Sequence, residues 1–139
     1  MIKKVAALAL ALSVGVSAAA LANPQRQALL DGFAAQAKAE DGNFKGFSAE
    51  RGKELFQAKH VGGKPETPSC TTCHTADPKG VGQTKAGKEI PPMAVSRTPA
   101  RFTDPAELEK WFHRNCNQVL GRECTARERG DVIVYLSAQ

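Results

Sequence analysis

Aromatic side chains are scarce in this sequence, with one Trp and one Tyr among 139 residues. A nucleic-acid surface needs stacking platforms and clustered cations, and here the basic residues are scattered, so nucleic acid is not an expected partner. Strict apolar/polar alternation is missing, as is any internal repeat, which argues against β-sandwiches, barrels and solenoids and leaves an all-α class. Long apolar runs are missing beyond Leu21. The one that exists, Val5 to Leu21, is Ala-rich and broken by Ser13, Gly15 and Ser17, a poor bilayer span. Lys3 and Lys4 precede it and Ala20 and Ala22 end it, so residues 1–22 read as a secretory signal peptide cut before Asn23. The chain is then expected in the periplasm, without stable membrane insertion after cleavage. Loss of the two lysines lowers the formal charge from +5 to +3, and the remaining length suits one small domain.

Cysteine is limited to four residues, which an exported chain must oxidise or occupy chemically. Cys70 and Cys73 stand two residues apart with His74 next. Cys116 and Cys124 enclose seven residues, Gly121 among them.

Helix signals are clear at both ends of the chain. Asn23 as cap, Pro24 at the first helical position, and Ala28, Leu29, Phe33, Ala34 and Ala37 at helical spacing predict a first helix. Asp41 to Phe47 would end it. A second helix is predicted over Ala49–Lys59 behind Ser48, and Gly52 inside it suggests another backbone passing close by. Val61 to Arg101 is rich in Gly, Pro, Lys and Thr without sustained period, and reads as long irregular loops packed on an apolar cofactor. Asp104-Pro105-Ala106-Glu107 starts a helix that continues at least to Arg114. Thr125 and Glu128 form a capping box for a last helix carrying Val132, Ile133, Tyr135 and Leu136.

Haem attachment requires two thiols to add across the porphyrin vinyl groups and a histidine beside the second thiol to reach the iron. Cys70-x-x-Cys73-His74 has that spacing, which points to one covalently bound haem c. A thioredoxin-like pair should open a helix in a βαβ context that is not present. A zinc site made from all four cysteines would leave His74 unexplained and need reduced thiols outside the cytoplasm.

The second axial position has several candidates. Leu108, Trp111, Phe112 and Asn115 share one helical stripe, so Asn115 lies on the apolar face. There it reads equally as an iron ligand or as a helix-end residue bonded to backbone. His113 points roughly 140° from Leu108, toward solvent. Met93, in Ile90-Pro91-Pro92-Met93, could serve a plain His/Met electron carrier, yet it reads better as an apolar loop side chain against the haem edge. His60, in a Gly-flanked loop, reads as a surface group.

The segments Arg101-Phe102-Thr103-Asp104, Trp111-Phe112, Arg114-Asn115-Cys116-Asn117 and Val119-Leu120-Gly121-Arg122-Glu123-Cys124 resemble the sphaeroides haem protein family of oxygen-binding cytochromes c. The resemblance covers most of the chain after Ser48. It implies a class I cytochrome c fold over residues 48–139, preceded by an N-terminal helix and linker over 23–47. It also implies His74 and Asn115 as ligands of ferric iron and a disulfide between Cys116 and Cys124. Gly52, Phe56 and Tyr135 suit that fold's crossing of first and last helices. Asn115 would leave on reduction and open the site to O2, NO or a similar small molecule, with a dihaem cytochrome c as electron donor. The related cytochromes c double-prime use a detachable histidine, a role for which His113 has the wrong helical phase. Three kinds of function follow: a ligand-binding cytochrome, a plain electron carrier using Met93, or an oxygen- or nitric-oxide-related oxidoreductase.

Overall fold

A computed structural model describes residues 23–139; the expected signal peptide, residues 1–22, lies outside the described residues. Five helices and one minimal sheet follow in the order α1 (Pro24–Glu40), α2 (Ala49–Gln57), α3 (Thr71–His74), β1 (Gly82–Gln83), β2 (Glu89–Ile90), α4 (Pro105–Leu120) and α5 (Ala126–Ser137).

The helix starts follow from their caps. The Asn23 side chain accepts from the backbone N–H groups of Gln25 (2.9 Å) and Arg26 (3.1 Å), and Ser48 accepts from Arg51 (3.2 Å). Asp104 accepts from Ala106 and Glu107, and Thr125 and Glu128 complete a reciprocal box. Each cap satisfies donors that the first helical turn leaves without partners.

The core is built on the crossing of α2 and α5, with α1 laid along α5. At Gly52 a methyl group would overlap the carbonyl of Asp131, so the two backbones meet where only glycine fits. Phe56 and Tyr135 pack beside this point with ring centroids 5.9 Å apart. Buried Asp131 ties the crossing electrostatically, accepting from the Ser48 N–H (2.7 Å) and from Arg51 Nε (2.8 Å). Phe56, Ile133 and Leu136 fill the centre.

α2 stops at Gln57, two residues before the expected Lys59. α4 runs to Leu120, where Gly121 at φ +70° ends it in the left-handed conformation that favours glycine. Within the stretch expected to be wholly irregular, Gly82 pairs with Ile90 and Gln83 with Glu89 in an antiparallel hairpin. Each strand is only two residues long, too short for side-chain alternation to announce it.

Candidate haem site

Cys70, Cys73 and His74 are spaced i, i+3 and i+4, so a single helical turn is enough to bring them to one side of the chain. α3 supplies that turn, with the N–H groups of Cys73 (3.3 Å) and His74 (3.1 Å) both donating to the Cys70 carbonyl. Ser69 anchors its start: the hydroxyl donates to the Phe56 carbonyl (3.2 Å) and accepts from the Thr71 N–H (3.2 Å). Thr75 at φ +63° ends the turn, and β1 presses against it so closely that a methyl on Gly82 would strike the Cys73 carbonyl.

All three residues face an apolar cleft. Phe56 of α2, Met93 and Phe102 from the loops, and Leu108, Phe112 and Asn115 of α4 face it too. Apolar walls of this kind suit a large flat ligand. Burial, followed by the charge of Arg101, lowers the His74 pKa to about 4. The imidazole is therefore neutral at ordinary pH, the form that donates an electron pair to a metal. Its Nδ1 is buried without a hydrogen-bond partner among the described residues. Burial also pushes the Cys70 thiol up to about 11. Such a thiol is a poor thiolate, which argues against zinc and against thioredoxin-like exchange. Two thiols and a neutral imidazole on one turn, facing an apolar cleft, match what covalent haem attachment requires.

Asn115 lies half-buried in the wall formed by α4, and its carboxamide makes no hydrogen bond to any described residue. The local backbone bond goes instead to its neighbour: Asn117 Nδ2 donates to the His113 carbonyl (2.8 Å). Directly after Asn115, Cys116 is disulfide-bonded to Cys124, with Cα atoms 5.6 Å apart. His113 is solvated, its side chain 68% exposed, and pairs with Glu123. His60 is half-buried, with Nε2 within 3.0 Å of the Leu55 carbonyl, so it is occupied by backbone rather than directed at the cleft. Met93 lines the same cleft as Asn115.

Several participants give no sequence signal. Thr67 and Ser69 enter the lining only because the loop after α2 folds back. Phe102 owes its place to a backbone at φ +60°, and no local pattern foretells a left-handed phenylalanine. The Gly62-Gly63 pair could have been suspected, since its loop lies against the last carbonyls of α4, where Lys64 N–H donates to Gln118 (2.7 Å).

Residues 42–136 match the family described as a domain of unknown function, DUF1924. The cytochrome c-type protein SHP of Cereibacter sphaeroides is 59% identical over 91 residues, covering 66% of this chain and 70% of that protein. Cytochrome c'' of Methylophilus methylotrophus is 38% identical over 86 residues, 61% of this chain and 60% of the relative. Among solved structures, oxidised SHP, described as an oxygen-binding cytochrome c, superposes with a TM-score of 0.75 at 51% identity. It covers 82% of this chain and 96% of that one. Oxidised cytochrome c'' gives a TM-score of 0.69 at 32% identity, over 81% and 92% respectively. By sequence and by fold, the chain belongs to the SHP family of c-type cytochromes and its prosthetic group is haem c.

Proposed function

We propose that this is an exported monohaem cytochrome c that binds a small diatomic molecule, O2 or NO, at a site that Asn115 guards in the oxidised state. Cys70 and Cys73 would hold the haem through thioether bonds, with His74 as the lasting donor to its iron and Asn115 as the removable one. The haem supplies a one-electron redox centre with a coordination position open to exchange.

The observation that carries this reading is the unpartnered Asn115 carboxamide facing the haem cleft. An asparagine serving only to finish a helix would spend its amide on nearby carbonyls, as Asn117 does. The amide oxygen is a hard, neutral, weak donor, acceptable to ferric iron and poor for ferrous iron. With haem bound, an electron from another cytochrome, by resemblance a dihaem cytochrome c, would therefore weaken the hold of Asn115 and release it. Once displaced, its NH2 group stays within reach to donate a hydrogen bond to the incoming molecule. The disulfide at Cys116 limits how far the residue travels. The relatives support this reading, one being described as oxygen-binding and the other studied for detachment of a haem ligand.

A second reading rests on Met93 in the same cleft: a plain electron carrier with His74 and Met93 as ligands. Optical spectra of Asn115→Ala in both redox states separate the two. Loss of asparagine should leave ferric iron bound by water or hydroxide, with faster NO uptake. Ferric spectra identical to wild type, with a methionine-to-iron charge-transfer band, would assign the site to Met93.

A further inference from the structure

The corner that leads into α4 is held more firmly than a surface loop requires. Buried Arg26 of α1 donates from Nε to the Arg101 carbonyl (3.1 Å) and from Nη2 to the carbonyls of Pro99 (2.7 Å) and Arg101 (2.9 Å). Thr98 Oγ1 donates to Pro92 and Thr103 Oγ1 to Ala100, each at 2.8 Å. Phe102, at φ +60°, holds a conformation that costs a non-glycine residue free energy and persists only where its surroundings over-determine it. The corner brings Phe102 into the haem cleft and fixes Arg101 beside it.

The Arg101 guanidinium is half-buried, and the bonds it makes are to neutral groups. Nε donates to the Pro92 carbonyl (3.2 Å) and Nη2 to that of Pro91 (2.6 Å), immediately before Met93 in the cleft wall. Among the described residues no carboxylate lies within ion-pair distance of it. The cleft lining contains neither Lys nor Arg, while Arg101 stands at its edge, next to Phe102 and bonded to the carbonyls that precede Met93. Carbonyl dipoles orient a half-buried cation without neutralising it, which leaves this one able to take an anion.

We propose that Arg101 binds a propionate carboxylate of the haem, with Arg26 and the Phe102 corner as the positioning elements that present it. Haem brings two carboxylates into a cleft whose own lining offers them no cation. The guanidinium has donors beyond the two used on Pro91 and Pro92, arranged in a planar fork that suits a carboxylate. Arg26 is not a second anchor; it clamps the carbonyls of the segment from which Arg101 projects. The assignment rests on haem seated in this cleft and is independent of Asn115 being a ligand.

The test uses the haem-loaded Arg101→Gln and Arg101→Lys proteins at one fixed pH, with Asn115→Ala beside them. The propionate bending band in the resonance Raman spectrum should move in both Arg101 variants, because lysine keeps the charge and loses the fork. The reduction potential should fall in Arg101→Gln, where a positive charge that favours the added electron is gone, and stay close to wild type in Arg101→Lys. Visible bands that report the axial ligands should not change. A propionate band at its wild-type position in both variants overturns the proposal. If Arg101→Gln fails to accumulate, an unmoved band in Arg101→Lys overturns it alone. Axial changes confined to Asn115→Ala, alongside silent Arg101 variants, would discard the propionate anchor while leaving the proposed function standing.

Discussion

The α2/α5 crossing and the α4 wall bound the same cleft and are held in different ways. At the crossing, backbone meets backbone: Gly52 touches the Asp131 carbonyl, and buried Asp131 ties the start of α2. α4 meets that pair mostly through side chains, Leu108 and Phe112 inside and exposed ion pairs outside, with a disulfide and the Gly62-Gly63 loop at its far end. Close backbone packing has one geometry, whereas side-chain ties allow small displacements without unfolding. The wall that carries Asn115, the proposed exchangeable ligand, is thus the one built with some give, and the neighbourhood of His74 is the rigid one.

Three measurements would break or sharpen this contrast. Gly52→Ala forces a methyl into the Asp131 carbonyl, and overpacking of backbone against backbone should cost about 3 kcal/mol. Denaturant unfolding should show a large drop in midpoint; a value close to wild type would mean the crossing is not rigid. Replacing Cys116 and Cys124 together by serine should cost about 2 kcal/mol for a loop of this length. It should also speed displacement of Asn115 by added ligand, whereas Gly52→Ala should not do so in the fraction that stays folded. The smallest effect concerns pH. The hydrogen bond from Arg122 holds the Glu128 carboxyl below its ordinary range, so its contribution is present above the unfolded carboxylate pKa and is lost as pH falls through the folded value. Glu128 is partly solvated, which limits the gain to under about 1 kcal/mol. Between neutral pH and pH 3, Glu128→Gln should therefore lose less stability than wild type, and parallel curves would exclude the effect.

Legibility from sequence followed the same divide. Caps, helix starts and the close approach at Gly52 are local or pairwise features, and the residues announce them directly. The stripe Leu108, Phe112 and Asn115 was readable from helical phase, and all three face the cleft. Helical phase leaves two roles open to Asn115; the hydrogen bonds, in which Asn117 and not Asn115 spends its amide on the helix, favour the proposed ligand role. Long-range ties were illegible. Arg129, whose Nη1 donates to Glu109 (2.6 Å) while its guanidinium stacks near Phe33 and Phe112, joins α1, α4 and α5, yet it stands in sequence as one more basic residue. In sequence Arg101 is only one residue of a motif, since a missing counter-charge becomes visible only when the fold shows what surrounds it.

Trp111 is the sole tryptophan of the chain, sits on the α4 rim of the haem cleft and is 43% exposed between Lys110 and Arg114. A porphyrin so near would drain its excited state and leave the indole dark. Any event that swings α4 outward should make the protein glow, so its own fluorescence can time the movement of that wall without an attached dye.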